Sequence, residues 1–332
     1  SAARKPFAEI CPMTSFFTVT DNPDILALQP RLTATDAGVR RIALIELADL
    51  EEPDGLLWLV ERLCEDPAEE VRAEAARLLE AWEDEPVVEA LCQALTDPSP
   101  AVQSAAAQSL SLLKTEAAGR VILPWTDHAE VSVRNAAFRA LRELRFADAA
   151  PAAVAALNDA DANVRREAVG VLGWLKQLDA LPALARLASA DPDTEVRRAA
   201  TGALGLASSA EVLAALRQAL QDNAWQVREE AATTLGKVGH SDAGPALIEA
   251  LSDDYWQVRL RATRSLGRLR FGPALDALID TLGHRISNLR KEAALALGEL
   301  NDRGAVAALQ AAQDDGDPEV RKAVRIALSQ LQ

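Results

Sequence analysis

"DNAWQVREEAATTLGKVG" occupies residues 222–239, and 31 residues further on "DDYWQVRLRATRSLGRLR" occupies residues 253–270. Both place Val-Arg five residues after an Asp, then Ala, Leu and Gly at fixed steps. Two segments in register at that distance mark a repeat architecture. The register runs along the chain in both directions. Val-Arg or a close variant stands at Val39-Arg40, Val71-Arg72, Val102-Gln103, Val133-Arg134, Val164-Arg165, Val196-Arg197, Val227-Arg228, Val258-Arg259, Leu289-Arg290 and Val320-Arg321, spaced by 31 or 32 residues.

Within each unit, Ala follows the anchor by four residues, from Ala43 to Ala293, with Val324 in the last unit. Leu follows by eight in every unit, from Leu47 to Leu328, and an apolar residue follows by eleven. Offsets 0, 4, 8 and 11 fall in one stripe of a helix turning about 100° per residue. This is the second helix of the unit, and the stripe is its buried face. Asp stands five residues before the anchor in seven units: Asp66, Asp97, Asp159, Asp191, Asp222, Asp253 and Asp315. Pro follows three of them, at Pro67, Pro98 and Pro192. The expected reading is Asp as N-cap and Pro as first helical residue. Gly173, Gly205, Gly236, Gly267 and Gly298 stand nine after the anchor. They come before the helix end, which points to close packing and not to a C-cap. Apolar-periodic runs such as "GPALIEALSD" before the Asp predict a first helix. Two helices of about 10–13 residues with short turns fill the unit. No strand pattern competes, so the fold class is all-α.

The array covers residues 21–332 as a single domain, and residues 1–20 are an N-terminal extension. The stretch "SAARKPFAEICP" breaks the pattern, and Met13 is the only methionine. Translation is expected to start at Met13, with residues 1–12 a vector remnant or an extension.

Composition narrows the function classes. The chain has 332 residues, 49% apolar but only 4% aromatic, and a formal charge of −15. Small apolar side chains suit closely packed helices. The acidity repels nucleic acid and anionic membranes over most of the surface. Cys11, Cys64 and Cys92 show no CxxC spacing, so a disulfide framework or zinc site is not expected, and Cys64 and Cys92 read as buried reduced thiols. No apolar run reaches about 18 residues and no signal-peptide pattern is visible. A cytoplasmic location is expected. His128 and His284 occupy the Asp slot and His240 an inter-repeat turn, so all three read as caps or surface residues. No phosphate loop, dinucleotide glycine pattern or nucleophile elbow is present. No catalytic residue, metal or cofactor is expected.

The pattern of Asp, Val-Arg, Ala and Leu-Gly resembles HEAT repeats, specifically the short HEAT-like repeats of the phycobilisome lyase group. The resemblance covers about residues 21–332. It implies a right-handed α-α solenoid of about ten units, in a bacterial protein, with the second helices lining the concave side. It also implies a ladder between neighbouring units, built from the Asp and the Arg six residues later. Asp66/Arg72, Asp159/Arg165, Asp191/Arg197, Asp222/Arg228 and Asp253/Arg259 match it. Ala34, Gln103, His128 and His284 depart from it, so interruptions are expected around those repeats. HEAT-like deoxyhypusine hydroxylases carry His-Glu pairs for iron. Here Ala129, Ser241 and Arg285 follow the histidines, which disfavours that activity. The acidity disfavours the likeness to HEAT-like DNA glycosylases.

If offsets 0, 4, 8 and 11 are buried, offsets −1, +2, +3, +6 and +10 face a partner, with −2 beside them. The candidate partner-binding residues are Trp174, Arg198, Trp225, Gln226, Glu229, Tyr255, Trp256, Gln257, Arg261, Arg264 and Arg268. Exposed aromatics with Arg are typical of binding hot spots. The other reading of Trp225 and Trp256 is that they fold over helix N-termini and pack between repeats. Trp58, Trp82 and Trp125 read as structural. The expected function is a non-enzymatic scaffold or assembly factor, a monomer when free, that binds a protein partner on its concave face. A bilin lyase-like role, implied by the resemblance, is the alternative.

Overall fold

The computed structural model describes residues 20–331. The expected N-terminal extension, the Met13 start and Cys11 lie outside the described residues, apart from residue 20. The described residues contain twenty α-helices and no strand. They divide between Ala156 and Leu157 into two compact units.

The first unit holds α1 (Pro23–Leu32), α2 (Ala37–Asp49), α3 (Leu56–Glu65), α4 (Glu69–Leu78), α5 (Glu85–Ala94), α6 (Pro100–Leu110), α7 (Glu116–Ile122), α8 (Val131–Leu144) and α9 (Ala150–Ala156). The even-numbered helices carry the Val-Arg anchors and stack as α2 on α4, α4 on α6 and α6 on α8. The odd-numbered helices stack as α3 on α5 and α5 on α7. The second unit holds α10 (Ala162–Trp174), α11 (Leu181–Ala190), α12 (Thr194–Ala203), α13 (Ala210–Ala219), α14 (Trp225–Val238), α15 (Gly244–Ala250), α16 (Trp256–Leu269), α17 (Leu275–Leu282), α18 (Ser287–Leu300), α19 (Val306–Ala311) and α20 (Pro318–Gln330). There α10, α12, α14, α16, α18 and α20 stack in order, and first helices such as α11, α15 and α17 pack on their own second helices.

The predicted stripe is the core. Val227, Ala231 and Leu235 on α14 and Val258, Ala262 and Leu266 on α16 are buried. Burying a Val or Leu side chain contributes about 1.5–3 kcal/mol. A second buried strip escapes that pattern. Ala232 and Thr234 on α14, Thr263 and Ser265 on α16, and Ala294 and Ala296 on α18 are also buried, at offsets +5 and +7. They fill the contact between successive second helices. Ser265 donates its hydroxyl to the Ala232 carbonyl at 2.7 Å, so this seam carries hydrogen bonds as well as packing. The glycines at offset +9 lie on the same seam. A Cβ on Gly267 would stand 2.7 Å from the Ala296 Cα, and one on Gly298 would stand 2.9 Å from the Ala327 Cα. Close packing is therefore the reason for these two glycines. Gly173 differs, because its added Cβ would meet nothing nearer than 3.8 Å.

The helix starts correct the sequence reading. α14 starts at Trp225 and its N-cap is Ala224, not Asp222. Asp222 accepts from the Ala224 N–H at 2.8 Å, two residues on. Asp66, Asp97, Asp159, Asp191, Asp253 and Asp315 do the same to the residue two further along. The recurrent Asp thus closes a turn ahead of the helix, and Pro67, Pro98 and Pro192 lie in that turn. The hydrogen bond from an Asp side chain to an N–H two residues on serves an Asx turn as readily as an N-cap. True side-chain caps occur where Asp stands three before the anchor, as at Asp161, Asp193 and Asp317. The helix ends have a marker that the sequence reading missed. Arg145, Lys176, Gly239, Arg270 and Asn301, twelve after their anchors, all have positive φ.

The ladder exists, with different partners. Arg228 does not pair with the carboxylate of Asp222. Its Nη1 donates to the Asp222 carbonyl at 2.8 Å, and its Nε and Nη2 donate to the Asp253 carboxylate of the next repeat at 2.6 and 2.9 Å. The same forward link joins Arg40 to Asp66, Arg72 to Asp97, Arg165 to Asp191, Arg197 to Asp222 and Arg290 to Asp315. Each guanidinium reaches a carboxylate 25 or 26 residues ahead. Ala34 interrupts nothing, because Arg40 still bonds its carbonyl. Gln103 and His284 do interrupt the links that would reach residues 128 and 284.

Candidate functional site

The candidate binding residues separate into three places on the second helices. The first is the entry end of α14 and α16. Trp225 and Trp256 each open a helix, and Tyr255 is the residue before Trp256. Trp225 stacks on Tyr255 with ring centroids 5.5 Å apart and planes 13° from parallel. The Arg228 guanidinium sits 5.6 Å from the Tyr255 ring centroid while bonded to Asp253. Trp225 is half-buried, but Tyr255 and Trp256 remain 45% and 37% exposed. Trp225 therefore packs between repeats, as the alternative sequence reading held, and it supports a ring that faces solvent. Gln226 and Gln257 are half-buried beside these rings in sequence, and the Gln257 Oε1 is buried with no partner among the described residues.

The second place is the middle of the helices. Arg261 donates to Glu229 at 2.9 Å, and Arg264 makes two bonds to Glu292 at 2.7 and 2.8 Å. Glu292 is buried, so Arg264 neutralises a carboxylate that the packing has removed from water. Sequence reasoning placed these arginines among the partner-binding residues. The structure commits both to neighbouring repeats, because the carboxylates that meet them lie on the adjacent helices α14 and α18. In the first unit Arg41 and Glu74 form the same kind of cross-helix pair at 2.8 Å.

The third place is the exit end. Trp174 is the last residue of α10 and is 54% exposed, and Arg268 is exposed near the end of α16. A helix rises about 1.5 Å per residue, so the exit end of these helices lies roughly 20 Å from the entry end. The structure does not bring Trp174 together with Trp225, Tyr255 and Trp256. Arg198, exposed on α12, pairs with Glu195 at 3.1 Å.

The remaining aromatic and thiol residues are structural in placement. Trp58 is buried, Trp82 is half-buried, and Trp125 stacks on buried His128 at 5.7 Å. Cys92 is buried, and burial pushes its thiol well above the usual range. Cys64 is only half-buried, less enclosed than the sequence suggested. Each histidine accepts at Nδ1 from the N–H two residues on: His128 from Glu130, His240 from Asp242 and His284 from Ile286. His128 and His284 thereby substitute for Asp in the turn, and His240 caps the turn Ser241–Ala243. Among the described residues no group of three or more His, Cys, Asp or Glu is placed to hold a metal. No described helix is long and apolar enough to cross a membrane.

A family model for HEAT repeats matches residues 56–128, 119–205, 187–267 and 244–329. The chain belongs to the HEAT-repeat family. Its fold is an all-α solenoid, and solved structures agree. An engineered protein matches with TM-score 0.51 and 23% identity over 93% of this chain and 99% of its own. Escherichia coli YibA matches with TM-score 0.59 and 22% identity over 80% of this chain and 98% of its own. Yeast importin-beta matches with TM-score 0.66 and 15% identity, over 92% of this chain but 50% of its own. At these identities the likeness concerns the fold alone. A sequence search of curated proteins finds no match.

Proposed function

We propose that this chain is a non-enzymatic scaffold or assembly factor that binds a protein partner through the second helices of its later repeats. The observation that carries this reading is the aromatic surface at the entry of α14 and α16. Tyr255 and Trp256 stay exposed there, backed by half-buried Trp225 and by Arg228. Rings held in place by neighbours lose little freedom on binding, which favours them as anchors. Arg268 adds an exposed charge to the same helix. Trp174 forms a separate contact point. Arg261 and Arg264 act as internal struts in this reading, and the concave side is formed by the second helices. HEAT solenoids typically bind protein partners, which favours this class of function.

The subgroup of phycobilisome lyase-like repeats rests on the sequence pattern, as does the enzyme alternative of bilin handling. Mixing the protein with a free bilin and recording the visible spectrum separates the two. A scaffold leaves the pigment spectrum unchanged. The buried Cys92 thiol fits a reducing, cytoplasmic setting, and we expect a monomer by light scattering.

The deciding experiment compares wild type with a Tyr255→Ala/Trp256→Ala variant in affinity capture from native lysate. The variant stays folded by circular dichroism, its melting temperature lowered only by loss of the Trp225 stack, and it loses the partner that wild type retains. Equal capture by both proteins overturns the assignment of this surface.

A further inference from the structure

Among the described residues the ladder shows two interruptions, at Gln103 with His128 and at His284, and they differ in kind. At the first, both partners change. Gln103 stands where arginine is usual, and His128 stands where the next carboxylate is usual. Gln103 turns its Nε2 back to the Asp97 carbonyl at 2.8 Å, and His128 is buried against Trp125. No ladder cation is left over. At the second, only one partner changes. Arg259 is kept, and the slot ahead of it holds His284.

The retained arginine is incompletely satisfied. Its Nε is buried with no hydrogen-bond partner among the described residues, although the side chain as a whole is half-exposed. Asp253 makes no hydrogen bond to it: that carboxylate is bonded to Arg228 and to the Tyr255 N–H, and feels Arg259 only through its charge. His284 offers no acceptor either. Its Nδ1 already accepts from the Ile286 N–H at 3.0 Å. Burial, then the charges of Arg259, Arg285 and Arg290, hold the imidazole below its usual range. A neutral imidazole bonded in this way carries its proton on Nε2 and is a donor there. The junction thus leaves a buried donor of Arg259 without an acceptor, with the Asp253 charge nearby but not bonded to it, and such a donor is unfavourable.

We propose that the junction of α16 and α18 at Arg259 and His284 is a receptor for an external carboxylate. The intact links say why a carboxylate fits. In each, one Asp oxygen takes Nε and the other takes Nη2, at 2.6–3.0 Å. Arg259 carries the same donors, Nε and Nη2, and no acid stands in the slot ahead of it. A carboxylate arriving from solvent takes the place that the aspartate holds in the intact links. It comes either from a free small acid or from an Asp or Glu side chain of a partner. This site does not depend on the aromatic surface, and its occupancy is measurable without knowing any partner.

The test is an NMR titration of ¹⁵N-labelled protein with sodium acetate and, separately, with a capped triglutamate peptide, chloride holding ionic strength constant. The Arg259 Nε–H and the His284 ring resonances report binding. In wild type both move and saturate. In His284→Asp the new carboxylate fills the slot, and the Arg259 Nε–H stays fixed under titration. In Arg259→Gln the His284 ring resonances stay fixed. Both variants recreate pairings that this chain already uses, Arg with Asp and Gln with His, so both fold. Half-saturation by the peptide at a tenfold lower concentration than acetate assigns the site to partner side chains. Equal half-saturation per carboxylate assigns it to free acids. A drift without saturation in wild type overturns the proposal, and so does the same saturable shift in either variant.

Discussion

Replacing the same residue at the same repeat position should move stability in opposite directions. Gly173 and Gly267 both stand nine after their anchors, near the ends of α10 and α16. Gly to Ala in a helix contributes about 0.5–1 kcal/mol through reduced chain freedom. At Gly173 the new methyl meets nothing nearer than the Ala203 Cβ at 3.8 Å, which is ordinary contact. Gly173→Ala is therefore expected to stabilise by about 0.5 kcal/mol, at the low end because the position is beside the helix end. At Gly267 the methyl would lie 2.7 Å from the Ala296 Cα and 2.8 Å from its Cβ. Carbon atoms rest at about 3.5–4.0 Å, so α16 and α18 must part by about 1 Å there. The obstacle is backbone, which cannot rotate away as a side chain could. Overpacking of this kind costs about 1–3 kcal/mol, so Gly267→Ala is expected to destabilise by about 1–2 kcal/mol net. Urea denaturation followed by circular dichroism at 222 nm reads the difference, with both sites in one compact unit. The midpoint should rise for the first variant and fall for the second. Midpoints moving the same way would refute the argument that the seam, and not the helix, decides these glycines.

Three further outcomes are expected. Trp225→Ala removes the stack on Tyr255 and should lower stability by about 0.5–1.5 kcal/mol in the same denaturation assay. Arg264→Ala strands the buried Glu292 and should destabilise by about 2 kcal/mol, part of which Glu292→Gln in the same chain restores. The urea midpoint should hold between pH 7 and about pH 5 and fall below about pH 4. Burial pushes the carboxyls of Asp66, Asp222 and Asp253 up, but arginine and backbone N–H bonds outweigh it and leave them below the ordinary range. The Arg290 bond lowers Asp315 likewise. A lowered native value means stability present above the unfolded value and lost as pH falls through the native one. Asp222→Asn and Asp253→Asn should each make that acid loss shallower, and an unchanged acid limb would count against the ladder as its source.

The helix pairs and their buried stripe are legible because each follows from residues within one turn of one another. Val227, Ala231 and Leu235 declare the core by spacing alone. Exposure of Trp174 and Trp256 follows from the same angular argument. What escapes is anything settled by a neighbouring repeat. Arg228 looks paired with Asp222 six residues back, yet its carboxylate lies 25 residues ahead. Arg261 and Arg264 look free, yet their partners stand 32 and 28 residues away. Thr234 and Ser265 carry no strong hydropathy signal, and only the approach of adjacent helices buries them. The helix start was misread for a local reason. An Asp accepting an N–H two residues on has the same composition whether it ends a turn or begins a helix.

The forward direction of the arginine links gives the chain an arrow. Arg228 has its own-repeat carbonyl as soon as its helix forms, but its carboxylate belongs to residues that a ribosome has not yet released. Every repeat so linked is finished by its successor, so during synthesis each such repeat carries one unclosed guanidinium until the next is made. Cutting the array from the C-terminal side would uncover a cation, and cutting it from the N-terminal side would uncover an acid. Two fragments split at such a junction would therefore carry matching ends, and rejoining them in solution would weaken with added salt.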